Sequence, residues 1–246
     1  MEEMFKLPPL HFVLSCPRVG FTLNASCIIT ACAGLGSVTY GQGAFWSQVL
    51  TRIMEDAVEA GAEYIVTIDY DTVFDRRHVL ELVTLAVKHP EYAAIFPIQS
   101  KRASEDFLAR VLGDNGERIT SMTLADFLSQ DVRNCENGHF GLTVIRVADL
   151  VNIAKPWFYE TPDSNGSWRD GRVDADIQFW MNLRKAGLLC GMATKVRVGH
   201  LQQVITWPDA TMAPVHQYTD EWSDTHKPPV GVPDTQYSVT LSEVAP

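Results

Sequence analysis

Residues 64–74 read Tyr-Ile-Val-Thr-Ile-Asp-Tyr-Asp-Thr-Val-Phe. Tyr64 to Ile68 is an apolar, β-favouring run, the pattern of a strand buried on both faces in a parallel sheet. Two carboxylates follow it, Asp69 and Asp71, one residue apart. Ligands of open α/β sheets bind just beyond the carboxyl ends of such strands. Two carboxylates at that place make a hard, oxygen-rich pocket suited to Mg²⁺ or Mn²⁺, above all a cation carrying phosphates. A structural reading stands beside it, in which Asp69 starts a turn and Asp71 caps the next helix.

Working outward, the neighbouring segments alternate. His11 to Ser15 reads as a first strand, broken by Cys16-Pro17-Arg18 because proline cannot continue a central ladder. Ser26 to Thr30 is apolar and β-branched and reads as a second strand. Gly34 to Gly43 reads as a glycine-rich connection; it matches neither GxGxxG nor the Walker pattern. Ala44 to Ala60 has helical spacing, with Gly61 as its stop. Asp75 is placed as the N-cap of a helix over 76–89, which Pro90 ends. Ala93 to Ile98 is a further strand. This alternation predicts an α/β sandwich with a mostly parallel central sheet flanked by helices.

Beyond residue 100 the chain is more polar. Asp114-Asn115-Gly116 predicts a hairpin turn and Asn134 to Gly141 a polar loop. Leu142 to Val147 reads as a short strand, followed by a helix over 148–154. Asp174 to Ala186 is helical with Ile177, Trp180, Met181 and Leu183 on its apolar side. Ala193 to Val198 is a last strand, ending at Gly199-His200. From Pro208 the composition turns to Pro, Thr, Asp and His without a periodic apolar face. The expected organisation is one catalytic domain over 1–207 and a tail over 208–246, extended or wrapped on the body.

Bulk properties narrow the function. The 246 residues are 46% hydrophobic and carry a formal net charge of -10, a balance that disfavours a nucleic-acid binder. No apolar stretch is long enough to span a bilayer, and Met1 to Pro9 lacks the pattern of a signal peptide. The cysteines at 16, 27, 32, 135 and 190 are scattered without zinc spacing. Free thiols in a reducing cytoplasm are expected.

The ordered set of motifs resembles the A-type (GT-A) glycosyltransferases, in particular small family-2-like members. The set is Asp69-x-Asp71; Gly138-His139-Phe140-Gly141-Leu142 leading into Val-Ile-Arg; Pro156-Trp157-Phe158; Asp174-Ala175-Asp176-Ile177-x-Phe179; Arg184-Lys185-Ala186-Gly187; and Val198-Gly199-His200. It covers about residues 10–205. The resemblance implies a nucleotide diphosphate sugar donor, most readily a UDP-sugar, with Mn²⁺ or Mg²⁺ supporting departure of the diphosphate. By position, Asp69 and Asp71 match the family's DxD: Asp71 on the metal, Asp69 helping to hold ribose or metal water. His200 matches a late metal-ligand histidine; a structural strand-end histidine is the other reading. Asp176 matches the acidic residue that deprotonates the acceptor hydroxyl in inverting members. The family's usual Glu is replaced here by Ala175, so Asp174 and a purely helix-dipole role for both aspartates stay open, as does stereochemistry.

Pro17 and Arg18 match the place where the family contacts the nucleotide base. Lys101 and Arg102 follow a strand end where they could meet the diphosphate or the acceptor, or remain a solvated pair. Trp157 and Phe158 fit either a platform for a sugar ring or core packing. Two other readings compete: a sugar nucleotidyltransferase, which Cys16-Pro17-Arg18-Val19-Gly20 fits poorly, and a non-catalytic nucleotide-sugar-binding protein on a degenerate scaffold. The acceptor is left open among a saccharide, a lipid-linked sugar, a protein side chain and a modified nucleobase. The sequence carries no signal for oligomeric state.

Overall fold

The computed structural model describes residues 7–17, 19–100, 108–113, 115–119 and 122–233. Two compact units divide the chain, Met1–His200 and Leu201–Pro246.

The first unit begins with β1 (Leu10–Cys16), α1 (Thr22–Cys32), β2 (Gly36–Gln42), α2 (Trp46–Glu59) and β3 (Tyr64–Asp69). After β3 come β4 (Thr72–Val73), α3 (Arg76–Lys88), β5 (Tyr92–Ile98), β6 (Arg110–Val111), α4 (Leu124–Leu128) and β7 (Val132–Asn137). It closes with β8 (Leu142–Arg146), α5 (Val147–Leu150), α6 (Ala175–Lys185), β9 (Leu189–Arg197) and β10 (Gly199–His200). The main sheet has the order β2-β1-β3-β8-β5-β9-β7-β6. β1 pairs parallel with β2 and β3, and β5 parallel with β9. β8 runs antiparallel between β3 and β5, and β7 antiparallel to β9. β3 is buried from Tyr64 to Ile68, as its unbroken apolar run requires.

Each face of the sheet carries a core. Leu10, Phe12, Leu14 and Val66 pack against α1 and α3 through Ile28, Val79, Leu82 and Val83. Val13, Ile65, Ala94 and Phe96 pack against α2 and α6 through Leu50, Ile53, Phe179 and Leu183. The alternation of β1 side chains between these sets is the period-2 geometry of a strand with helices on both sides. Asp75 accepts from the backbone N–H groups of Arg77 and His78, so it is the N-cap of α3, worth about 1 kcal/mol.

Four elements of the first unit differ from the sequence reading. Ser26 to Thr30 lies inside α1, not in a strand. Its buried residues are Asn24, Ile28, Ala31 and Cys32, a helical spacing that outweighs the β-branched propensity of Ile28, Ile29 and Thr30. The glycine-rich connection is largely β2, an edge strand. A Cβ at Gly36 would stand 2.3 Å from the carbonyl oxygen of Leu10. The glycine therefore permits close strand approach. β7 also extends into the expected polar loop over 134–141, and the helix expected over 148–154 is the single turn α5.

The second unit contains β11 (Val204–Pro208), β12 (Pro214–Tyr218) and α7 (Thr219–Thr225). β11 and β12 form an antiparallel hairpin. Trp207 packs on Trp222 of α7 with ring centroids 5.1 Å apart. Within this unit, residues 204–225 hold the hairpin and the helix. Trp207 and Trp222 stand fifteen residues apart on different elements, so no periodic apolar face announces their contact.

Candidate active site

β3 delivers Asp69 to the carboxyl edge of the sheet, level with Ser15 of β1. Asn24 of α1, buried at 3% exposure, fixes the turn that follows. Its Nδ2 donates to the carbonyls of Asp69 (2.9 Å) and Thr72 (2.7 Å), spanning both aspartates. Trp46 Nε1 lies 3.4 Å from Asp69 Oδ1. Burial, reinforced by the Asp71 carboxylate, pushes the Asp69 carboxyl up to about 7. A carboxyl so placed is stabilised in its ionised form by any cation that enters.

Asp71 meets His200. The short ladder β4·β10 pairs Thr72 with His200 and Val73 with Gly199. It brings His200 Nε2 to 3.2 Å from Asp71 Oδ2 across a sequence separation of 129. The Asp71 hydrogen bond raises the imidazole above its usual range. On the other side of the ring, Nδ1 donates to Ser100 O at 3.2 Å.

Gly138 to Gly141 enters β8 at the same edge. His139 is buried, with Nε2 donating to Pro97 O (2.9 Å) and Nδ1 accepting from Gly141 N (3.1 Å). Gly141 O in turn accepts from Asp69 N at 3.2 Å. Phe140 stacks on Trp180 (5.0 Å) and meets Trp46, Phe158 and Phe179 edge-on. This aromatic cluster holds the loop from below.

These parts line a cavity of about 600 Å³, whose walls include Asp69, Asp71, Gln99, His139, Asp176 and His200. Its size is that of a small-molecule site. Asp176 lies in the first turn of α6, where burial raises its carboxyl above the ordinary range. Asp174 also reaches the cavity wall, but it is ion-paired to Arg172 at 2.9 Å.

Of the residues singled out in the sequence, Asp69, Asp71, Asp176 and His200 share this cavity. Pro17 is exposed beyond the end of β1 and is not among the lining residues. Arg18, Lys101 and Arg102 lie outside the described residues. Trp157 and Phe158 are core residues, 1% and 4% exposed, and not a sugar platform. Asn24, Trp46 and Gln99 belong to the site and carry no motif of their own. The helical spacing 24, 28, 31, 32 puts Asn24 on the buried face of α1, but a hydrophobic pattern does not count this polar residue.

Among the described residues, no three or more His, Cys, Asp or Glu side chains form a ready-made metal cage. The expected trio of Asp69, Asp71 and His200 contains one direct contact, between Asp71 and His200. A carboxylate and an imidazole fit a divalent cation whose remaining positions are filled by substrate phosphates and water.

No protein-family model matches this chain, and no curated protein matches it by sequence. Solved structures do share its fold. The crystal structure of A197 from STIV aligns with a TM-score of 0.51 at 12% identity, over 78% of this chain and 86% of that one. The crystal structure of GalNAc-T7 with UDP, GalNAc and Mn²⁺ aligns with a TM-score of 0.52 at 12% identity, over 79% of this chain. This chain covers 44% of that protein's length. The mixed sheet flanked by helices is thus the GT-A glycosyltransferase fold. At such identity the likeness is one of fold, and chemistry has to be argued from the site.

Proposed function

We propose that this chain is a metal-dependent glycosyltransferase that moves a sugar from a nucleotide diphosphate sugar, with UDP-sugar the favoured donor, to an acceptor hydroxyl. The observation that carries the reading is the 3.2 Å contact of Asp71 with His200 in the cavity that also contains Asp69 and Asp176. In this reading Asp71 and His200 hold Mn²⁺ or Mg²⁺, and Asp69 faces ribose or metal-bound water. The cation, when bound, offsets the charge of the departing diphosphate. Asp176 accepts the proton of the acceptor hydroxyl as its oxygen bonds to the anomeric carbon and the bond to diphosphate breaks. Its raised pKa makes it a stronger base than a solvated carboxylate. The ion pair of Asp174 with Arg172 favours Asp176 over Asp174 for that task. All five cysteines are free thiols, which supports a reducing, cytoplasmic setting. No helix among the described residues is long and apolar enough to cross a membrane.

The test is a screen of UDP- and GDP-sugars with Mn²⁺, following slow donor hydrolysis and calorimetric binding. Asp71→Asn and His200→Ala should lose most metal-dependent UDP affinity. Asp176→Asn should keep donor binding and lose about 10²–10⁴-fold in transfer, the usual contribution of a general base. Absence of both turnover and metal-dependent binding with every donor overturns the enzyme reading. Transfer within a few-fold of wild type in Asp176→Asn removes that residue as base.

A further inference from the structure

Gln99 follows the last residue of β5 and is 4% exposed, yet it reaches the cavity wall. Its side chain lies between the two short segments that carry Asp71 and His200. Nε2 donates to Gly199 O at 3.2 Å and to Thr72 Oγ1 at 3.4 Å. A backbone carbonyl only accepts, so the bond to Gly199 fixes which end of the amide is nitrogen. Oε1 then points to Gly141, where a Cβ would stand only 2.6 Å from it. The main chain at this point serves the same region. Gln99 O accepts from Leu108 N at 2.9 Å, and Ser100 O accepts from His200 Nδ1.

The β4·β10 ladder has two residue pairs, too few to hold two segments rigidly by themselves. One side chain that gives a hydrogen to each segment ties them to the end of β5, a strand buried over most of its length. We propose that Gln99 is a positioning residue: it sets the separation of Asp71 and His200, and so preorganises the pair for a divalent cation. The proposal rests on the cation reading of that pair. It assigns the preorganisation to a neutral amide that does not itself ligate.

Gln99→Met keeps nearly the same volume and removes both donors, so packing is preserved while the two bonds are lost. Three measurements test it. The first is calorimetric titration of Mn²⁺ in the presence of UDP. Gln99→Met should bind Mn²⁺ about tenfold or more weakly, the usual effect of removing a group that orients a metal ligand. The second is UDP binding without metal, which should stay within about twofold of wild type. The third is amide hydrogen exchange in metal-free protein. Exchange should speed up at residues 72–73 and 199–200 and stay unchanged in β1 and β3. Unaltered Mn²⁺ affinity in Gln99→Met, with affinity abolished in Asp71→Asn, overturns the proposal and leaves the cation reading standing. If wild type binds no Mn²⁺, the cation reading fails. Exchange then decides: local speeding in Gln99→Met retains Gln99 as the tie between the two segments, and unchanged exchange removes that role too. Global destabilisation by Gln99→Met, with exchange faster throughout the sheet, also overturns it, because the residue is then simply part of the core.

Discussion

Both ring nitrogens of His139 are engaged, one donating to Pro97 O and one accepting from Gly141 N. That arrangement exists only in the neutral ring. Burial lowers the pKa from 6.5 to about 4. A lowered folded-state pKa means that the unfolded chain takes up the proton first. The His139 contribution to stability is therefore complete above about pH 6.5 and is lost as pH falls toward about 4. The loss amounts to about 3 kcal/mol at 1.36 per pKa unit. His139→Gln should be less stable than wild type at pH 7.5, and the gap should narrow on acidification. Denaturant unfolding at pH 7.5, 6 and 4.5 measures it, and a gap constant with pH refutes it. At this scale the sequence is legible where a residue ends an apolar run. Asp69 and His200 each close a strand pattern, and Asp176 opens a helix, so their convergence on one sheet edge follows from topology. Asn24 and Gln99 are not legible in that way. Their importance lies in which carbonyls they reach, and those carbonyls belong to segments distant in sequence.

At the scale of elements, the entry to β8 carries the tightest constraint. A Cβ at Gly141 would meet Gln99 Oε1 at 2.6 Å, Thr72 Oγ1 at 2.9 Å and His139 Nδ1 at 3.0 Å. All three neighbours are buried and hydrogen-bonded, so none is free to move aside. Gly141→Ala should cost about 1–3 kcal/mol of stability, as overpacking generally does, and should weaken metal-dependent UDP binding along with it. An unchanged melting temperature and unchanged binding would show that the three neighbours can give way. Gly141 reads in the sequence as one glycine of a polar loop; the collision that demands it appears only in three dimensions. The misreading of α1 has a related cause. Its apolar residues include a short β-branched run, while the buried set includes a polar residue, Asn24, which a hydrophobic pattern does not count. β2 shows the reverse: glycines that usually announce a turn serve strand and helix packing at a sheet edge.

For the whole molecule, the stretch from α2 through β5 is readable because α2 and α3 show their period and β3 and β5 their apolar runs, whereas α1 and β2 read as a strand and a connection. The order of strands beyond that point is not. β8 has the same short apolar signature whether it joins the sheet parallel or antiparallel, and nothing local says that it inserts between β3 and β5. That insertion has a consequence for how the protein is made. β3 is complete at Asp69, but its second partner begins at Leu142. Until then one edge of an apolar strand has no ladder to join, a state that invites pairing with another chain. The many pairings distant in sequence also favour slow assembly. A fragment ending at residue 100 should therefore self-associate, while the full chain refolds with a yield that falls as its concentration rises. Light scattering of the fragment and refolding yield against concentration test this; a fragment that remains monomeric and unfolds cooperatively contradicts it. The same strand that presents Asp69 is thus the most vulnerable edge of the unfinished chain, and Leu142–Arg146 closes it.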